Sequence, residues 1–187
     1  TTRYVSIQLG IGGFQPATAE SVHRTGFGDC KGLSNYMLAM LKAIGIDSYY
    51  TEISTRISRF LKDYMSPNQT NHVILQVPLE HDTLWLECTN AMIPFGYVHK
   101  VIAGHDALLI KEHGGEIYRL PSYPDSLNIQ TTQAIITFTP EGKASGKVFQ
   151  SSRLMQYEEA DHFPQLPLNK QKEYLYADIS LNKPGIK

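Results

Sequence analysis

A chain of 187 residues, 42% hydrophobic and 19% charged, carries enough apolar material for a packed core, which excludes a disordered polymer. The formal net charge is -1 and no Lys/Arg-rich run occurs, so nucleic acid is not expected as the main partner. No apolar run approaches the roughly 18 residues of a membrane span, and two cysteines are too few for a disulfide scaffold.

The opening TTRYVSIQLG lacks the charged and apolar regions of a leader. A start at Thr1 is expected of a mature or excised piece of a longer, multi-domain chain. Residues 1–7 are β-rich and predict a strand. GIGGFQP predicts a loop: GIGG lacks the Lys-Ser/Thr that completes a phosphate loop. Residues 17–25 predict a helical turn or a short helix.

The clearest element follows Gly28. Asp29 is a good N-cap, because its carboxylate accepts from the unpaired N–H groups of a first helical turn. Leu33, Met37, Met40, Leu41 and Ile44 recur at steps of three and four and predict one apolar stripe. Gly45 fits the left-handed position past the end, with Ile46 folding back on Leu41. SYYTEIST predicts a strand, residues 56–70 an excursion, and NHVILQVP and TLWLECT two further strands. A strand is expected at ALLI, then turns through EHGGEIYRLPSYPDS.

TTQAIITFTPEGKASGKVFQ predicts a β-hairpin around Pro140-Glu141-Gly142, and NKQKEYLYADI a closing helix. A soft boundary falls over Pro121–Ser126. It gives a domain over 1–122 and a β-rich C-terminal segment over 123–187. That segment is expected either to pack on the first domain or to be truncated.

Strand alternation places His72, Ile74 and Gln76 on one face, and Thr83, Trp85 and Glu87 on one face. With Pro78–His81 as the hairpin loop, Val77 opposes Asp82 and His72 opposes Glu87, about 5 Å apart at Cβ. A carboxylate beside an imidazole fixes its tautomer and favours the imidazolium. An imidazolium, and the positive end of a helix dipole, both stabilise a thiolate. Cys30, His72 and Glu87 therefore suit the roles of nucleophile, acid–base and orienter, with the Cys30 N–H as an oxyanion donor. Each also has a plain structural reading: a small buried thiol, a hydrogen-bonded strand histidine, a solvated carboxylate. Trp85 either walls the cleft or packs, with packing favoured. Cys88 faces away from Glu87, so a disulfide with Cys30 is not expected. The histidines show no close ligand spacing, so no metal is expected, and His81, His99, His105, His113 and His162 read as loop or surface residues.

FGDCKGLSNYMLAMLKAIGI, NHVILQVP and LWLECTN resemble the motifs of transglutaminase-like, papain-related thiol domains. The nearest likeness is to multi-domain transglutaminase-like proteins of Bacteroides-type bacteria, in which RYVSIQLGIGGFQP and PFGY also have counterparts. The resemblance spans roughly residues 3–122. It implies an α+β fold, with the Cys-bearing helix packed on an antiparallel sheet that carries the His and the acid. It places the triad on Cys30, His72 and Glu87. Many relatives have Asp-Pro-Thr where this chain has Glu87-Cys88-Thr89. An upstream Gln often completes the oxyanion hole; Gln8 and Gln15 are the candidates, and Gln15 is favoured. The resemblance implies a cysteine-dependent amide-bond enzyme without cofactor, peptidase- or amidase-like, acting on a peptide or protein in the periplasm or cell envelope. The alternatives are a transamidating transglutaminase and a binding or scaffold module that keeps the fold without turnover.

Overall fold

The computed structural model describes residues 2–7, 10–64, 66–158 and 161–178. The chain divides into two units, Thr1–Tyr123 and Pro124–Lys187. The first opens with β1 (Arg3–Tyr4), far shorter than the strand expected over 1–7. After α1 (Ala19–Thr25), β2 (Phe27–Gly28) pairs with β1 in parallel. Thr18 caps α1 by accepting from the Ser21 N–H, and Gly26 ends it.

Helix α2 (Cys30–Ala43) starts where the sequence places it. The Asp29 carboxylate accepts from the Gly32 N–H at 2.9 Å. Gly28 comes so close to the helix that a Cβ there would stand 3.3 Å from the Leu33 nitrogen. At the far end Gly45 has φ +76°, and the Ile46 and Gly45 N–H groups donate to the Leu41 and Lys42 carbonyls. Burial does not follow the expected stripe. Cys30 to Ser34 are buried, whereas Met40 and Ile44 are exposed. The helix is anchored by its first turns, and its C-terminal turns project outward.

Five strands form one sheet: β3 (Tyr49–Ile53), β4 (His72–Pro78), β5 (Thr83–Leu86), β6 (Asp106–Lys111) and β7 (Gly114–Arg119). Their order is β5-β4-β3-β6-β7, and every neighbouring pair is antiparallel. The unit is thus α+β. Strand β7 lies where turns were expected. Only Glu112 and His113 turn, and the strand starts at the two glycines. A Cβ on Gly115 would stand 2.7 Å from Leu108 Cδ1, so the bare backbone makes room for that leucine.

Interior strand β4 is buried from Val73 through Val77. On one face, Ile74 joins Ile53, Trp85, Val98, Ile102, Ala107, Leu109 and Leu120 in a core cluster. Val73, Leu75 and Val77 are buried on the other, and α2 is the helix in contact with β4. The Ser34 hydroxyl donates to the Val73 carbonyl and ties helix to strand beside the site. Each fully buried Ile or Leu contributes roughly 1.5–3 kcal/mol. Asp106 secures the excursion after β3 by accepting from the Phe60 N–H and from Arg119 and Arg59.

The second unit contains a ribbon of β8 (Gln130–Phe138) and β9 (Ala144–Ser152), then α3 (Met155–Glu158) and α4 (Leu168–Asp178). The last residue of the expected closing helix, Ile179, lies outside the described residues. Among the described residues no helix is long and apolar enough to cross a membrane.

Candidate active site

Three segments converge on one site. The helix mouth supplies Cys30, the start of β4 supplies His72, and the chain just past β5 supplies Glu87. The β4–β5 register differs from the expected one. Val77 pairs with Leu84 instead of Asp82, a shift of two residues. The turn begins one residue later, where the Leu79 N–H donates to the Asp82 carbonyl. An even shift leaves every side chain on its face. Glu87 stays on the His72 side but moves from the direct to the diagonal position. The diagonal is longer than a direct pair, and the extra methylene of Glu over Asp spans it.

The contact is close: His72 Nε2 lies 2.7 Å from Glu87 Oε2. The other carboxylate oxygen accepts from the Thr89 N–H at 2.8 Å and the Thr89 hydroxyl at 2.5 Å. With Nε2 engaged by Glu87, Nδ1 is the ring nitrogen of His72 left for another partner. Burial works against a charge on His72. Hydrogen bonding to Cys30 and Glu87, and the negative charge of both, outweigh it and push the ring up to about 9. Burial likewise resists the charge on Glu87. Hydrogen bonds from His72, His99 and Thr89, and the His72 cation, hold its carboxyl well below the usual carboxylate range. The pair is therefore an imidazolium–carboxylate pair across the neutral range.

Asp29 is buried beneath the helix mouth and pairs with the buried ammonium of Lys31. As residues of the first turn, Cys30 and Lys31 have no intrahelical acceptor for their N–H groups. Gln15, the favoured oxyanion candidate, makes no hydrogen bond to the site that the structure records among the described residues. It is exposed and lines a separate cavity of about 160 Å³ with Asp29 and Ile11. Gln8 lies outside the described residues. Cys30 and Cys88 are both free thiols. Burial and the Glu87 charge push Cys88 up to about 11, against a hydrogen bond to Ser34. Trp85 is packed in the core, 6.2 Å from the Tyr118 ring between centroids.

Two neighbours were not legible. His99, expected as a loop or surface residue, is mostly buried, with Nε2 3.4 Å from Glu87 Oε2. It lies in an irregular segment, and neither periodicity nor spacing marks it. Tyr50 is held well above the ordinary phenol range by burial and by the charges of Glu52, Cys30 and Asp29, so it remains a neutral hydroxyl beside the site. His105 also has a fixed place, with Nδ1 2.8 Å from the Ser54 carbonyl oxygen.

His72, Glu87 and His99 offer ligand atoms all within 4.8 Å of one another. Two imidazoles and a carboxylate form a zinc-type donor set, so these are the residues that could hold a metal. Cys30 and His72 open on a cleft of about 330 Å³, lined also by Glu52, Arg56, Asn71 and Phe14. No family model, curated protein or solved structure matches this chain.

Proposed function

We propose that the unit over residues 1–123 is a thiol enzyme acting on amide bonds, built on a transglutaminase-like, papain-related core. The observation that carries this reading is the 2.7 Å contact of His72 Nε2 with Glu87 Oε2, on a ring that also interacts with Cys30. The Cys30 sulfur attacks the amide carbon, and a C–S bond forms. The oxygen takes the displaced electron pair in reach of the first-turn N–H groups. The His72 cation gives its proton to the leaving nitrogen, the C–N bond breaks, and a thioester remains. Water then attacks with its proton passing to His72, and the free acid departs as Cys30 is restored. A primary amine in place of water gives transamidation. Hydrolysis is the preferred reading. A periplasmic or envelope setting is proposed on the resemblance alone.

The test is a panel of peptide and glutamine-amide substrates with Cys30→Ala as control, following amine or ammonia release with and without an added primary amine. Turnover that vanishes in Cys30→Ala supports the reading. Turnover retained in that variant contradicts it.

A second reading rests on the His72–Glu87–His99 donor set: metal-assisted hydrolysis without the thiol. It predicts loss of turnover on chelation and insensitivity to alkylation of Cys30. The thiol reading predicts the reverse.

A further inference from the structure

The cleft beside Cys30 and His72 contains a cation with no partner among the described residues. Arg56 lines it and is exposed, and among the described residues its guanidinium has no ion pair or hydrogen bond. Of the other lining cations, Lys31 is paired with Asp29 and His72 with Glu87. The one lining carboxylate, Glu52, accepts from the Thr70 hydroxyl at 3.0 Å and is not paired with Arg56.

The backbone beneath Arg56 is firmly held. The N–H groups of Arg56 and Ile57 both donate to the buried Ser54 hydroxyl, each at 3.1 Å. The neighbouring Thr55 N–H donates to Asn71 Oδ1 at 2.8 Å, and Asn71 Nδ2 donates back to the Thr55 hydroxyl at 2.8 Å. The Asn71 N–H donates to the Ile53 carbonyl. Asn71 directly precedes His72, so the turn carrying Arg56 is bonded to the residue next to the acid–base group. A long cation on a held turn at the edge of a reactive cleft, unpaired among the described residues, is available to receive a counter-charge from a ligand. A planar, bidentate guanidinium matches a carboxylate.

We propose that Arg56 is a specificity residue that receives a carboxylate of the substrate, so that the cleft selects peptides bearing an acidic group beside the amide bond to be cleaved. This rests on the thiol reading above and adds the substrate class to it. Peptides with Asp or Glu at that position are turned over in preference to the Asn or Gln isosteres, and Arg56→Ala removes the difference.

A test independent of turnover compares alkylation of Cys30 by iodoacetate and by iodoacetamide, resolved by site with peptide mass spectrometry. The reagents differ in one carboxylate. In the wild-type protein the iodoacetate-to-iodoacetamide rate ratio exceeds that of Arg56→Ala by roughly tenfold, the scale of one charge contact near a surface. Arg56→Glu lowers the ratio further, and added salt narrows the gap. Glu52→Gln keeps the wild-type preference. A ratio unchanged in Arg56→Ala and Arg56→Glu overturns the assignment, as does a preference lost in Glu52→Gln. The two readings fail separately. A thiol that reacts with iodoacetamide no faster than N-acetylcysteine counts against the nucleophile, while the ratio still reports on Arg56.

Discussion

Glu87 reaches His72 from beyond the end of its own strand: the last β4–β5 pair is Leu75 with Leu86, yet Glu87 Oε2 stands 2.7 Å from His72 Nε2. Thr89 clamps the other oxygen with its N–H and hydroxyl, so the carboxylate has one orientation. Glu87→Gln removes the charge and keeps the shape. On the proposed thiol reading the variant loses roughly 10²- to 10⁴-fold in kcat, as expected when an orienter fails to stabilise the imidazolium. The pH profile carries the sharper signature. On the proposed thiol reading acylation needs the His72 proton, so activity falls as pH rises through about 9. Without the Glu87 charge the His72 cation is less favoured, and this alkaline limb moves to lower pH. A limb that stays in place contradicts the pairing.

Much of this arrangement was legible because it rests on local rules. Asp29 at the helix start and Gly45 with Ile46 at its end are capping chemistry written in adjacent residues. The shared side of His72 and Glu87 follows from a period of two and survives the register shift. The shift itself was not legible. Tight turns close through backbone bonds such as Leu79 to Asp82, which many sequences satisfy. His99 and Arg56 reach the site through irregular chain held by long-range bonds, and no pattern marks such residues. Strand β7 was hidden by its two glycines, which read as a turn although Gly115 is a packing accommodation to Leu108.

Stability follows pH through the same pair. His72 is raised from 6.5 to about 9 in the folded protein. Its contribution is fully present below 6.5 and disappears as pH rises from 6.5 through 9. Glu87 is depressed from 4.5, so its contribution is present above 4.5 and disappears as pH falls below that value. The pair therefore contributes most between 4.5 and 6.5. Thermal denaturation across pH shows the alkaline decline in the wild-type protein and a flatter profile in His72→Gln. Equal slopes in the two proteins contradict the ionised pair.

Asp29 holds the helix mouth and neutralises a buried ammonium. Asp29→Ala removes the cap and leaves Lys31 buried without its partner. Losing one member of a buried pair costs roughly 3–5 kcal/mol. Denaturant titration reads the loss. Asp29→Asn keeps a capping oxygen and recovers only the smaller share, about 1 kcal/mol.

The core cluster provides a control separate from the chemistry. Ile53 is fully buried among Ile74, Trp85 and Leu109. Ile53→Ala lowers unfolding free energy by roughly 2–5 kcal/mol through lost burial and a residual cavity. The Cys30 alkylation rate below the melting temperature stays near that of the wild-type protein. A large change in that rate without loss of stability contradicts a purely structural role for Ile53.

The central claim is that Cys30 is a nucleophile activated by His72, and its rate of alkylation tests this most directly. Iodoacetamide labelling of Cys30, resolved from Cys88 by peptide mass spectrometry, is followed near neutral pH in the wild-type protein and in His72→Gln. The predicted result is a Cys30 rate well above that of N-acetylcysteine, falling at least tenfold in His72→Gln on the scale of one lost charge contact. A wild-type rate no faster than N-acetylcysteine, or a rate unchanged by His72→Gln, contradicts it.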